Sequence, residues 1–243
     1  MTVAQPAVRF WVVIPAAGRG TRMGESLPKQ YLELAGKPVI EHAASVFLEH
    51  PGCAGLVVAI AEDDQIWPSL SLARHPRVAV TVGGGQRSDS VRAGLAALEA
   101  HCDEQDWILV HDAARPCLST QELSRLLADL SADAVGGLLA AHVVDTLKRS
   151  DDQHRVAETV NRERLWRALT PQMFRFGLLR RALHAAASEA VTVTDESQAI
   201  ERLGFRPRLV AGNADNIKIT LPEDLVRAEN ILAQRARSQR DSA

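Results

Sequence analysis

Cysteine is scarce in this chain and poorly placed for cross-linking: Cys53, Cys102 and Cys117 are odd in number, widely spaced and without a CxxC pair. A disulfide framework and a zinc site are both thereby disfavoured, so reduced thiols in a cytoplasmic protein are expected. No long hydrophobic run is present either. Trp11 to Ala17 falls far short of the roughly 20 residues that cross a bilayer. The opening MTVAQPAVRF has no basic stretch followed by an apolar core and a cleavage site, so a soluble protein is expected. Charge of one sign is lacking as well. A formal net charge of −2 offers no general attraction to nucleic acid or anionic membranes, and any anion binding must be local. The P-loop pattern GxxxxGK[ST] is absent, and Met23 stands where the dinucleotide fingerprint begun by Gly18 and Gly20 needs its third small residue. No Ser/His/Asp or Cys/His arrangement stands out as a nucleophilic centre.

What is present suits one large α/β domain. The 243 residues are 46% hydrophobic and 24% charged, ordinary for a globular protein with a substantial core. Short apolar runs at Phe10–Ile14, Leu56–Ile60, Val78–Val82, Ile108–Val110 and Val135–Ala140 predict buried strands. Amphipathic stretches lie between them: Val39, Ala43, Val46 and Phe47 share one helical face, and Leu123, Leu126, Leu127 and Leu130 another. Ser119-x-x-Glu122 reads as a capping box opening the second helix. This alternation predicts a mostly parallel sheet covered on both faces, with ligands at the carboxyl ends of its strands.

Between Val143 and Val160 the chain turns polar, with β-like pieces at Thr146–Lys148 and Val156–Val160, which predicts a projecting hairpin arm. Helices at Leu178–Ala187 and Glu196–Leu203 follow, then strands near Arg208–Val210 and Ile217–Thr220. A last helix opens at Thr220-Leu-Pro-Glu223, and the tail after Arg235 is expected to fray. The expectation is a single domain over 1–243, with an arm at about 143–160.

Four segments carry candidate chemistry. In PAAGRGTRMGESLPKQY, Gly18, Gly20 and Gly24 let backbone N–H groups approach an anion, and Arg19, Arg22 and Lys29 add cations; a mere connector is the alternative. GGGQRSDSVRAGL follows a strand and precedes a helix; capping by Ser88 or Asp89 accounts for one side chain but leaves the triple glycine unexplained. In WILVHDAARPCLS, Asp112 lies just past a strand's carboxyl end, where it can meet ribose hydroxyls, a polyol or a metal, or simply cap a turn. His111 reads as structural, and Arg115, held extended by Pro116, can aim at a phosphate. Arg162, Thr170, Thr194 and Lys218 are donors suited to a phosphomonoester, although spacing alone does not assemble them. A reaction whose substrate supplies its own nucleophile needs mainly positioning and charge neutralisation from the protein.

Seven segments in order, VIPAAGRGTRMG with PKQY, GGGQRSDSV, VHDAARP, VVDTLKR, ALTPQMF, TDESQAIE and DNIKIT, resemble the motif set of the 2-C-methyl-D-erythritol 4-phosphate cytidylyltransferases of the non-mevalonate isoprenoid pathway. The likeness runs from about Val12 to Glu229. It implies a Rossmann-like nucleotidyltransferase fold, a homodimer that exchanges its arms, and transfer of CMP from CTP, bound with Mg2+, to the polyol phosphate. It implies no particular protein ligand for the metal. By the same resemblance, Arg22 and Lys29 would stabilise the transition state at the α-phosphate. Pro15, Ala16, Ala17 and Gly18 would contact the nucleotide, and Gly84, Gly85 and Ser90 would hold the cytosine end. Asp112 and Ala113 would lie near ribose and polyol. Arg162 and Lys218 would grip the methylerythritol phosphate with Arg115, Thr146, Thr170 and Thr194, Thr146 and Arg162 serving the partner's site. Two departures are visible: Gly85 stands where some members carry Asp, and Asn161 replaces an acidic residue. The chain ends where bifunctional relatives begin a cyclodiphosphate synthase domain, so a single activity is expected. Two alternatives remain: a cytidylyltransferase for another polyol phosphate such as ribitol 5-phosphate, and a nucleotide sensor without turnover.

Overall fold

A computed structural model describes residues 8–18 and 27–240. In chain order its elements are β1 (Phe10–Pro15), β2 (Glu33–Leu34), β3 (Lys37–Pro38), α1 (Val39–Leu48), β4 (Cys53–Ile60), β5 (Val78–Val82), α2 (Arg87–Leu98), β6 (Trp107–Val110), α3 (Thr120–Leu130) and β7 (Gly136–His142). Then come β8 (Leu147–Ser150), β9 (Val156–Val160), β10 (Trp166–Arg175), α4 (Phe176–Ser188), α5 (Glu196–Arg202), β11 (Arg208–Ala211) and α6 (Pro222–Arg240). The main sheet has seven strands in the order β11-β7-β10-β6-β1-β4-β5. All its pairings are parallel except the two made by β10, which runs antiparallel to both β6 and β7. It is thus the mostly parallel sheet expected, flanked by helices.

The period-two alternation of side chains divides the core between the sheet's faces. Val12 and Ile14 of β1, Leu56 and Val58 of β4, and Leu109 of β6 pack toward Phe47 of α1 and the leucines of α3. Val13, Val57, Ile108 and Val110 pack the other way, against Val91 and Leu95 of α2 and Leu179 and Leu183 of α4. Leu123, Leu126, Leu127 and Leu130 are all buried, each contributing about 1.5–3 kcal/mol by leaving water. The capping box forms as read: Ser119 Oγ accepts from the Glu122 N–H at 3.2 Å while Glu122 Oε2 accepts from the Ser119 N–H at 3.1 Å.

Three readings need correction, and one strand was not anticipated. Val78–Val82, expected to be buried, is the edge strand β5, with Val80 and Val82 49% and 53% exposed. Strand β10 occupies the middle of the sheet although its sequence holds Pro171, which cannot donate to a ladder. The proline is accommodated because the pairing with β7 shifts register between Ala168 and Gln172. Ile217–Thr220 forms no strand. It runs as irregular chain tied to the loop after β6 by the Ile219 N–H to the Ala114 carbonyl at 2.8 Å, and Thr220 then binds Asp224 at the start of α6. The final helix does not end near Arg235 but continues to Arg240.

The arm is a separate two-stranded sheet, β8 against β9, close to the pieces read from sequence. Its ties are exposed: Lys148 Nζ donates to Thr159 Oγ1 at 2.6 Å, and Arg149 pairs with Glu158 at 2.6 Å. Such pairs add little stability in water. Val144 and Val156 stand 76% and 65% exposed on it.

Candidate functional site

Strands β1, β4, β5 and β6 run parallel, so their carboxyl ends share one edge, and a cavity of about 890 Å³ opens there. Its wall is built from the residues after each of those strands: Pro15 to Gly18, Ala61 to Asp63, Gly83 to Arg87, and Asp112 to Ala114. Lys29, Gln30, Ser90 and Lys218 complete it. The volume lies in the upper range for small-molecule sites and can take a nucleotide beside a small second substrate.

Each turn is fixed by identifiable contacts. After β1, Ala16 N–H donates to the Ala59 carbonyl at 2.7 Å. The buried Gln30 amide donates to the carbonyls of Ala16 at 2.8 Å and Gly18 at 3.3 Å, and so pins the start of the glycine-rich turn. After β5, a Cβ on Gly83 would sit 2.6 Å from Ser90 Oγ and one on Gly84 2.3 Å from Asp89 Cβ. The loop lies against the first turn of α2 with no room for side chains, which accounts for those two glycines. Ser90 Oγ accepts from the Gly84 N–H at 3.2 Å and holds this packing. Gly85 differs: a Cβ there would meet nothing within 4 Å.

Past β6, the backbone continues pairing for one residue through His111 N–H to the Val13 carbonyl at 3.0 Å, delivering Asp112 to the cavity rim. His111 is fully buried, edge-on to Phe47. Burial drives its pKa down to about 4, so the ring is neutral at physiological pH. Its Nε2 lies 3.0 Å from the Arg115 carbonyl, which can only accept; Nε2 therefore carries the proton and Nδ1 accepts from Thr170 Oγ1 at 2.9 Å. Thr170 Oγ1 in turn accepts from the Asp112 N–H at 3.1 Å. The histidine is structural, as read.

Asp112 is the centre of a charge cluster. Arg87 Nε donates to its Oδ1 at 2.9 Å, Lys218 Nζ to its Oδ2 at 2.8 Å, and Arg115 Nε lies 3.5 Å from Oδ2. Burial opposes its ionisation, but Arg87, Lys218 and Arg115 outweigh that and hold it far below the usual carboxylate range. Arg87 also grips Glu196 with both terminal nitrogens, at 2.6 and 3.1 Å. Burial pushes the Glu196 carboxyl up, and Arg87 opposes that shift. Of this cluster, Arg87, Lys218 and Asp112 reach the cavity wall, and two cations to one anion at that end suit an anionic group of a ligand.

Most of the residues singled out from sequence meet at this cavity: Pro15, Ala16, Ala17, Gly18, Lys29, Gly84, Gly85, Ser90, Asp112, Ala113 and Lys218. Others lie elsewhere. Thr170 is buried behind Asp112, and Arg115 is turned inward, donating to the Asn216 carbonyl at 2.7 Å. Thr194 is exposed, with its N–H on Gln198 Oε1. Thr146 and Arg162 are exposed on and beside the arm, where Arg162 donates to the Val144 carbonyl. Arg22 lies outside the described residues. Sequence reading missed Gln30, Arg87 and Glu196. Arg87 and Glu196 are 109 residues apart, so no local pattern joins them, although each sits inside a motif already singled out.

Comparison with known proteins agrees with this geometry. The family model of 2-C-methyl-D-erythritol 4-phosphate cytidylyltransferase matches residues 10–234. A protein of that name from Ectopseudomonas mendocina (strain ymp) is 53% identical over 234 residues, covering 96% of this chain and 100% of that one. A crystal structure of a 4-diphosphocytidyl-2C-methyl-D-erythritol synthase superimposes with a TM-score of 0.80 at 39% identity, covering 93% of this chain and 99% of that one. The 2-C-methyl-D-erythritol 4-phosphate cytidylyltransferase of Francisella tularensis gives 0.80 at 33% identity, covering 92% and 99%.

Proposed function

Since the chain belongs to the 2-C-methyl-D-erythritol 4-phosphate cytidylyltransferase family, we propose that its chemistry takes place in the cavity at the carboxyl ends of β1, β4, β5 and β6. The enzyme transfers CMP from CTP to 2-C-methyl-D-erythritol 4-phosphate, giving 4-diphosphocytidyl-2-C-methyl-D-erythritol and pyrophosphate. The observation that carries the assignment of the site is the pair of cations, Arg87 and Lys218, held on Asp112 at the wall of a cavity that Lys29 also lines.

A phosphate oxygen of the polyol substrate attacks the α-phosphorus of CTP and pyrophosphate leaves. The attacking phosphate is already ionised near neutral pH, so no general base is needed. Nor is a protein nucleophile: burial pushes the Cys102 and Cys117 thiols up to about 12, and no cysteine occurs among the described residues lining the cavity. Lys29 and Arg22 stabilise charge developing at the α-phosphate. Pro15 to Gly18 contact the nucleotide, and Gly84, Gly85 and Ser90 hold the base. Asp112 and Ala113 border ribose and polyol, and Lys218 holds the polyol phosphate. Arg115 and Thr170 support that end from behind Asp112.

A divalent metal is typical of such nucleotidyltransferases, and Mg2+ is the ion proposed here. Both Asp112 oxygens already accept from cations, which suits that carboxylate as a counter-charge rather than a ligand. The arrangement fits an ion carried in on the triphosphate, its coordination supplied mainly by phosphate oxygens and water. When bound, the ion neutralises triphosphate charge.

The domain reading is one nucleotidyltransferase unit with an arm that pairs with a second copy, so that Thr146 and Arg162 act at the partner's site, while Thr194 helps hold the polyol phosphate. The exposed Val144 and Val156 support that reading. A cytoplasmic location fits the free thiols; among the described residues no helix is long and apolar enough to cross a membrane.

Base choice tests the assignment. UTP presents an acceptor at the ring position where CTP presents a donor, so a pocket that bonds this edge rejects it by at least about 100-fold in kcat/KM. Pyrophosphate release with each nucleotide, with methylerythritol phosphate and ribitol 5-phosphate run in parallel, measures this. Equal kcat/KM for CTP and UTP would sink the cytidine reading of this pocket.

A further inference from the structure

We infer that Glu196 is a positioning residue for the polyol-phosphate end of the site, acting through Arg87 and Asp112 without touching either substrate; this rests on the reading that Lys218 holds that phosphate. Glu196 is 1% exposed, is not part of the cavity wall, and gives both carboxylate oxygens to Arg87. A buried carboxylate with a bidentate arginine fixes the guanidinium plane far better than a point cation can. With that plane fixed, Arg87 has one nitrogen, Nε, directed at Asp112 Oδ1, leaving Oδ2 to orient Lys218.

The same relay is anchored at both ends by strand β10. Thr170 Oγ1 accepts from the Asp112 N–H, and two residues on, Gln172 binds the start of α5. Its Oε1 accepts from the Ser197 N–H at 2.8 Å, and its Nε2 donates to Asp195 Oδ2 at 3.0 Å. Gln172 also pairs in register with Val110, the last residue of β6. One strand thereby sets the distance between Glu196 and Asp112, and Arg87 spans it. Losing the carboxylate leaves the guanidinium free to turn both terminal nitrogens onto Asp112 and compete with Lys218 for Oδ2.

Glu196→Gln keeps the volume and removes the charge. It is expected to raise KM for methylerythritol phosphate by about ten-fold or more while KM for CTP changes by less than about three-fold. A defect confined to folding lowers kcat through the active fraction and leaves both KM values alone. Arg87→Lys keeps the cation but loses the planar fork that grips Glu196 with two nitrogens while a third meets Asp112, and should show the same selective rise. In Arg87→Met/Glu196→Gln, which buries no unpaired charge, the loss should equal that of Arg87→Met alone, because a relay broken once is not broken further. Should Glu196→Gln fold poorly, Arg87→Lys and the double variant still decide the matter. Unchanged KM for the polyol phosphate in both Glu196→Gln and Arg87→Lys, or losses that multiply in the double variant, overturns the inference. Lys218→Ala separates the two levels. If it leaves that KM unchanged, the reading of Lys218 fails. If it raises KM while Glu196→Gln does not, only the relay fails.

Discussion

Lys29→Ala is expected to lower kcat by at least about 100-fold, the scale of losing one donor that stabilises transition-state charge. Lys29 lies on the cavity wall beside Gln30, whose amide pins the turn from Ala16 to Gly18. In the proposed role, an ammonium there would meet the triphosphate as negative charge moves toward the leaving pyrophosphate. That charge builds only during transfer, so CTP affinity should fall much less than turnover. Arg22→Ala should behave alike. Rapid-quench measurement of the chemical step, alongside CTP binding by calorimetry, distinguishes the two effects. Near-wild-type turnover in both variants would remove these cations from the mechanism.

Mixing two dead variants should restore activity if each site is built from two chains. Arg162→Ala and Lys29→Ala homodimers each carry two damaged sites. In a mixed dimer with exchanged arms, one site collects both lesions and the other collects none. Random exchange makes about half the dimers mixed, so about a quarter of wild-type activity returns, counting intact sites in a two-fold assembly. The physical motive is the arm itself. A lone two-stranded hairpin is marginal in water, and this one holds together through exposed polar pairs while leaving Val144 and Val156 uncovered. Arg162 sits beside it, donating to the Val144 carbonyl. Heterodimers that form, shown by native mass spectrometry, yet stay inactive would place both residues in one chain's site.

The parallel half of the sheet was legible in the sequence because each strand there is a bounded apolar run, and periodicity reports burial directly. Val78–Val82 was read at its observed limits but not at its observed burial, because an apolar run does not distinguish an edge strand from a central one. The antiparallel half was less so. Strand β10 combines Pro171 with the polar Thr170 and Gln172, whose side chains hold Asp112 and α5, so its sequence offers no bounded apolar run and no strand was read there. Conversely, Ile217 and Ile219 alternate like a strand yet pack beneath α6 as irregular chain, with Ile219 fully buried. At the site, glycine-rich turns announced themselves by composition. Arg87 and Glu196 did not, because a pair made across 109 residues leaves no trace in spacing.

The sheet order has a consequence for biosynthesis. β6 and β7 never touch as ladder neighbours, since β10 lies between them. As the chain leaves the ribosome, β1, β4, β5 and β6 can assemble early, but β6 then presents a bare, wholly buried-type edge and β7 has no partner. Bare apolar edges are where nascent chains aggregate or recruit holdases. The late arrival of residues 166–175 closes both gaps in one step, so the domain becomes protease-resistant abruptly rather than strand by strand. A length series of ribosome-bound chains digested briefly with protease should show this as a jump once β10 has emerged. A resistant core already formed by chains ending at Val160 would contradict it.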